Sequence, residues 1–256
     1  MLYLGCPQWS STAWKGNLLS SHCKSADMLS EYAQCFNSVE GNTSFYADPS
    51  HESLLRWHDA VPEDFKFTFK FHRRFSHELQ LTNITSELNA WLNLFEPIFA
   101  KTGQIMLQLP RAFGPDALPL LANFIAQLPK QLSYGVEVRH PGFFNKDDAE
   151  IRLNQLLIEN NIDRISMDTR SLFAVPADTD ALIDAQKKKP YLPVHAIATG
   201  NQPMLRFVIA SLEHEYKSYY QPWLKKVKQW LDEGKSPYLF FHTADNRQSP
   251  LLARQF

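Results

Sequence analysis

Eight short apolar runs recur along the chain, at residues 2–6, 38–42, 66–72, 104–109, 134–139, 164–168, 204–209 and 238–242. Most are rich in β-branched or aromatic residues and bounded by turn formers, as buried strands are. Helical patterns separate most of them. Leu88, Trp91, Leu92, Phe95 and Phe99 fall on one helical face, as do Leu118, Leu121, Ala122, Ile125 and Leu128. Trp223, Leu224, Val227, Trp230 and Leu231 form a third such face, with Gly234 as its C-terminal stop. Asn145, followed by Asp147 and Asp148, reads as a helix N-cap with acids suited to the dipole.

Strand and helix alternating to eight predicts an α/β chain folded as a single (β/α)8 TIM-barrel-like domain over residues 1–256. The length of 256 residues suits one such barrel or two smaller domains. A doubly wound open sheet is the alternative, but the first turn, Gly5-Cys6-Pro7-Gln8-Trp9, is no GxGxxG. No cofactor is expected. Only residues 250–256 remain for a last helix, so the outer layer is expected to be incomplete there. The connection from 169 to 203 is long, with a helix expected near 179–188, and loops of such length are often functional.

A net charge of −1 gives no reason to expect a nucleic-acid or membrane partner. No run approaches the roughly 18–20 apolar residues of a membrane helix. Three cysteines without CxxC spacing fit a reducing cytosol better than a disulfide framework, so a cytoplasmic location is expected.

In a parallel barrel the working face is the C-terminal rim, and residues two apart on a strand share a face. That pairs Glu40 with Asn42, Lys70 with His72, Met106 with Gln108, Glu137 with Arg139, Ser166 with Asp168, Met204 with Arg206, and Phe240 with His242. In strands three, four, five, seven and eight the opposite face is mostly apolar, for example Phe67, Phe69 and Phe71. The polar faces are therefore expected to look inward, gathering three cations (Lys70, Arg139, Arg206) and three acids (Glu40, Glu137, Asp168) at one mouth. One buried ion pair would be an ordinary structural feature; a cluster points to a site. Trp9 lines the mouth or packs the first loop. Cys35, beside Tyr32 and Phe36 on a helical pattern, reads as core, and Ser10 and Ser11 lack a GxSxG context.

Several stretches together resemble the YecE-like family, domain of unknown function 72. They are Gly5-Cys6-Pro7-Gln8-Trp9, Val39-Glu40-Gly41-Asn42-Thr43-Ser44-Phe45-Tyr46, Phe67-Thr68-Phe69-Lys70 with Ser76-His77, Leu107-Gln108-Leu109-Pro110, and Val136-Glu137-Val138-Arg139-His140-Pro141. The resemblance implies a TIM-barrel-like fold and no established activity. Its matching positions are Trp9, Glu40, Asn42, Phe45, Tyr46, Lys70, His77, Gln108, Glu137, Arg139 and His140. The seventh strand keeps only Arg206 of the family's arginine-leucine-histidine-glycine motif, and the eighth ends in His242-Thr243-Ala244-Asp245-Asn246.

The reading reached is a metal-independent enzyme acting on a small phosphate- or carboxylate-bearing substrate. Glu137, Lys70 and Glu40 are its catalytic candidates. Arg139, Arg206, Asn42, Gln108, His72, His77, His140, Asp168, Trp9, Tyr46 and His242 are its binding candidates. A metal-dependent hydrolase or sugar isomerase is the competing reading, drawing on His72, Glu40, Glu137, Asp168 and His242. No HExxH is present, and nearby cations oppose a dication. A non-catalytic binder of an anionic metabolite is the third.

Overall fold

The computed structural model describes residues 1–256. Each apolar run carries a strand: β1 (Tyr3–Gly5), β2 (Ser38–Gly41), β3 (Lys66–Lys70), β4 (Thr102–Gln108) and β5 (Tyr134–Glu137). The sixth run is divided at Ile165 into β6 (Asp163–Arg164) and β7 (Ser166–Asp168), and β8 (Met204–Val208) and β9 (Tyr238–His242) follow. All pairings are parallel. One sheet has the order β2-β3-β4-β5-β6 and the other β1-β9-β8-β7. At one seam the Glu40 N–H donates to the Cys6 carbonyl at 3.0 Å. At the other, Ile165 alone separates β6 from β7, and its N–H donates to the Val136 carbonyl at 2.9 Å.

Parallel neighbours need crossovers, and helices supply them. They are α1 (Met28–Ala33), α2 (His51–Asp59), α3 (Thr85–Phe95), α4 (Leu118–Ile125), α5 (Asp148–Glu159), α6 (Arg170–Phe173), α7 (Asp180–Lys188), α8 (Lys217–Asp232) and α9 (Ser249–Ala253). In α3 the expected face of Leu88, Trp91, Leu92 and Phe95 is buried. Pro97 follows and the chain tightens into a 3-10 turn, which takes Phe99 off the α-helix. The cap of α5 is Asp147 rather than Asn145. Its backbone is extended, and its carboxylate accepts from the amides of Ala149 and Glu150. Asn145 lies two residues too early, before Lys146 in the left-handed region at φ 57°. The final helix, α9, has five residues.

Alternation along the strands sorts the core. Outward-facing Phe69 and Phe71 pack on Phe95 and Trp91 of α3 at 5.0 and 4.9 Å between ring centroids. Between the sheets, Met106, Ile165, Met204, Tyr238 and Phe240 form a smaller apolar plug. Gly103 makes room for it: a Cβ there would lie 2.2 Å from the Tyr238 hydroxyl. Two residues beyond this plug on β4, β8 and β9, toward the strand C-termini, the inward side chains become polar or charged (Gln108, Arg206, His242).

Candidate functional site

The charged layer is built from the inward side chains of six strands. Glu40 ends the inward face of β2, Lys70 that of β3, Gln108 that of β4, Glu137 that of β5, while Arg206 and His242 come from β8 and β9. Glu40, Lys70, Glu137, Arg206 and His242 are all at most 4% exposed. Such burial is tolerable only if each charge finds a partner. Arg206 donates to both oxygens of Glu40, at 3.1 and 2.7 Å, and to Glu137. Lys70 reaches Glu40 at 3.4 Å and donates to the Gln108 side-chain carbonyl at 3.2 Å. His242 Nε2 lies 3.0 Å from Glu40. Arg139 closes on the remaining oxygen of Glu137 through Nε at 2.7 Å.

These pairings set the protonation states. Burial alone would raise the carboxyls, but Arg206, Lys70 and His242 hold Glu40 well below the usual range. Arg139, Arg206 and Lys70 do the same to Glu137. Burial and the neighbouring Arg206 bring Lys70 down to about 8, against the pull of Glu40 and Glu137. Burial brings His242 down to about 4 despite Glu40, so its imidazole is neutral at neutral pH. Both carboxylates are thus fixed as anions, and the groups that titrate near neutrality are amines.

Above this layer is a cavity of about 340 Å³ lined by Pro7, Gln8, Asn42, Phe45, Tyr46, Lys70, Gln108, Arg139, Lys188, Lys189, Arg206, His242 and Asn246. Glu40 and Glu137 do not line it; they hold the cations that do. A second cavity of about 370 Å³ adjoins it, sharing Arg139, Lys188 and Lys189 and adding His77 and Arg111. Lys188 is paired with Asp184 at 2.8 Å. Lys189, half-buried at the C-cap of α7, has neither a hydrogen-bonded acceptor nor a carboxylate partner. Enclosure in the cavity, with Arg206 and Lys70 close by, brings it down to about 7 although Glu40 and Glu137 pull the other way.

Residues 3–256 match the family described as "Protein of unknown function DUF72". The chain is a member of that family. It is 41% identical over 252 residues to the UPF0759 protein YecE of Escherichia coli, covering 98% of this chain and 90% of that protein. It is similar in fold to the crystal structure of a DUF72 protein from Thermotoga maritima, at 21% identity and a TM-score of 0.71, covering 100% of this chain and 97% of that one. A DUF72 protein from Enterococcus faecalis aligns with a TM-score of 0.74 at 18% identity, over 100% of this chain and 94% of the other. Identities this low speak to the fold alone.

Of the residues that sequence reasoning named for this DUF72 site, Lys70, Arg139, Arg206, Asn42, Gln108, Tyr46 and His242 meet around the first cavity, with Glu40 and Glu137 holding its cations. His77 lines the second. Four are placed elsewhere. Asp168 faces the helical layer, where Arg170 grips both its oxygens at 3.0 and 2.7 Å and the Trp223 indole donates at 2.8 Å. On β6 and β7 the polar residues Arg164, Ser166 and Asp168 point outward, and Ile165 points in. A polar face turns outward when the helices bring it buried partners. His72 leaves the rim because β3 stops at Lys70 and a π-turn begins at Arg74; its ring contacts the Tyr46 carbonyl and the Arg74 amide. His140 caps a 3-10 turn, accepting from the Gly142 amide at 3.0 Å. Trp9 packs edge-on against Trp57 and Phe67.

Sequence reasoning missed Gln8, Asn246, Arg111 and above all Lys189. The signal for the last was available: three lysines in a row, Lys187 to Lys189, stop at Pro190 inside the long connection. A lysine run at a helix end ordinarily reads as solvated surface. No three His, Cys, Asp or Glu side chains converge in a way that could hold a metal ion. No helix is long and apolar enough to cross a membrane.

Proposed function

We propose that this DUF72 chain is a metal-independent enzyme acting on a small anionic substrate, phosphate- or carboxylate-bearing, bound at the C-terminal ends of the strands. In this reading the two sheets form one closed (β/α)8 TIM-barrel-like domain, a reading supported by the Glu40–Cys6 hydrogen bond at one seam and the unbroken chain through Ile165 at the other. The observation that carries the function is a charge imbalance. Five cations line one cavity; Asp184 answers Lys188, and only two carboxylates stand against the other four (Lys70, Arg139, Lys189, Arg206). Cations enclosed together repel one another, and an anion entering among them relieves that repulsion and gains charge-assisted hydrogen bonds.

The roles differ from those the sequence suggested. Glu40 and Glu137, pinned as anions by arginine, are poor proton acceptors and serve to hold Arg206 and Arg139 in place. Lys70, titrating near 8, is matched to proton transfer close to neutral pH. A metal-assisted reaction fits less well, because both Glu40 oxygens already face Arg206 and a dication would have to displace the guanidinium. The test is a thermal-shift screen with inorganic phosphate and a library of phosphorylated and carboxylated metabolites, with product detection by mass spectrometry. Anions should stabilise the protein by mass action, and Lys70→Ala and Arg139→Ala should abolish the shift. Equal shifts in the wild-type protein and both variants would overturn the reading.

A further inference from the structure

We propose that Lys189 is a nucleophile that condenses with the carbonyl group of an anionic aldehyde or ketone. The inference rests on the anion-site reading and narrows its substrate class: a small molecule carrying a phosphate or carboxylate and, a few bonds away, a C=O.

Each of the other cations at the mouth already has a partner. Arg206 is spent on Glu40 and Glu137, and Arg139 on Glu137. Lys70 is engaged by Glu40 and the Gln108 carbonyl, and lies 5.7 Å from the Phe45 ring centroid. Lys188 is paired with Asp184. Among the cations lining the first cavity Lys189 alone has no acceptor, and it lines the second cavity as well. An ammonium left without a partner among other cations is better off neutral, and a neutral amine is a nucleophile. Its titration near 7 agrees with this placement. At physiological pH a large fraction would carry the lone pair, where an ordinary surface lysine has almost none.

The surroundings suit the rest of the chemistry. Arg139, shared by the two cavities, holds Glu137 through Nε and Nη2 and keeps Nη1 for the anionic group, leaving the carbonyl within the space that Lys189 lines. The lone pair on the Lys189 amine attacks the carbonyl carbon, and the C=O π electrons move to oxygen. Proton transfers convert the adduct to a carbinolamine. The oxygen then departs as water, carrying the two hydrogens that left nitrogen, and a C=N bond replaces the C=O. The sum is amine plus carbonyl giving imine plus water, with no oxidant or reductant. Lys70 in its ammonium form can lend the proton that the departing oxygen needs. Protonated, the imine draws electrons from the neighbouring carbon and activates an adjacent C–H or C–C bond.

The experiment traps the imine. The intact protein is incubated near pH 7.5 with dihydroxyacetone phosphate or pyruvate and then treated with borohydride, which adds hydride to the imine carbon and leaves a stable secondary amine. Peptide mapping by mass spectrometry locates the adduct. Labelling at Lys189 should exceed the mean of the surface lysines by about tenfold or more. It should be lost in Lys189→Arg, which keeps the charge and removes the nucleophile. Glycerol 3-phosphate and lactate carry the same anions without the carbonyl and report binding separately, by thermal shift. If they stabilise the protein but no adduct forms above the surface-lysine level at Lys189, the imine proposal falls and the anion site stands. If they leave the melting temperature unmoved while Lys189 is labelled, the anion reading falls and the nucleophile stands. If neither binding nor selective labelling occurs, both fall.

Discussion

Two networks of buried charge lie on opposite sides of β5 and β6. In the helical layer, Arg164 donates to Glu150 at 2.7 Å, to Asn154 at 2.9 Å and to the Phe143 carbonyl at 2.7 Å. Glu150 also faces His195 and accepts from the Lys146 amide. One guanidinium meets one carboxylate, and Asn154, His195 and backbone groups fill the remaining positions. The strand-end cluster is assembled differently: its cations outnumber its carboxylates, and it lies beneath open space. Both are deeply buried, so burial and ion pairing do not distinguish a brace from a site. Charge balance and access do. The Glu150–Arg164 pair is closed on itself, whereas the cluster of Glu40, Glu137 and Arg206 leaves Lys189 unanswered.

The largest expected effects come from breaking each network at its arginine. Arg206→Met takes a cation from two buried carboxylates at once and should cost about 3–5 kcal/mol in urea unfolding, with loss of the phosphate-induced thermal shift. Arg164→Met should cost a similar amount, about 3–5 kcal/mol, because Glu150 loses its cation. Its phosphate response should persist at permissive temperature. Loss of that response in Arg164→Met would erase the distinction between the two networks.

Acid should act next. The folded-state carboxyls of Glu40 and Glu137 are held below their ordinary value of 4.5. The stability they contribute is therefore full above about pH 4.5 and is lost as pH falls through their folded values. Melting temperatures of the wild-type protein should decline below that point, and Glu137→Gln should decline less steeply.

A smaller change separates the amines from the carboxylates. Lys189 and Lys70 lose their protons near 7 and 8. Binding of sulfate, whose charge is constant through that window, should thus weaken by about tenfold as pH rises, read by calorimetric titration. A flat profile would mean that the arginines alone hold the anion. The smallest effect is expected from Lys189→Met. Removing a crowded, unpartnered cation should stabilise the unliganded protein by about 1 kcal/mol or less while reducing its phosphate response.

How far the sequence exposed this arrangement depends on the local backbone. Period-two alternation carried Glu40, Lys70, Gln108, Glu137, Arg206 and His242 to one side because the opposing residues, such as Phe69 and Val136, are apolar and sought the helices. The same rule misplaced Asp168, since Arg170 and Trp223 offered it a polar home outside the sheet. His72 was misplaced because no pattern in Phe71-His72-Arg73-Arg74 announces that β3 ends and a π-turn begins. Lys189 was invisible for another reason. Its position depends on how a long connection folds back over the strand ends, and strand periodicity says nothing about that.

Arg206 has one more consequence. It projects from the sheet that contains β8 and grips carboxylates belonging to the sheet that contains β2 and β5. It is therefore a latch between two halves of the molecule. Prying the halves apart means breaking both grips at once, in a place with little water to receive the freed charges. Slow breathing of the two sheets should be all-or-none, with the backbone amides of β2, β5 and β8 exchanging with solvent deuterium as one cooperative unit. The side chain that readies the cavity for an anion also sets how often the strands beneath it can open.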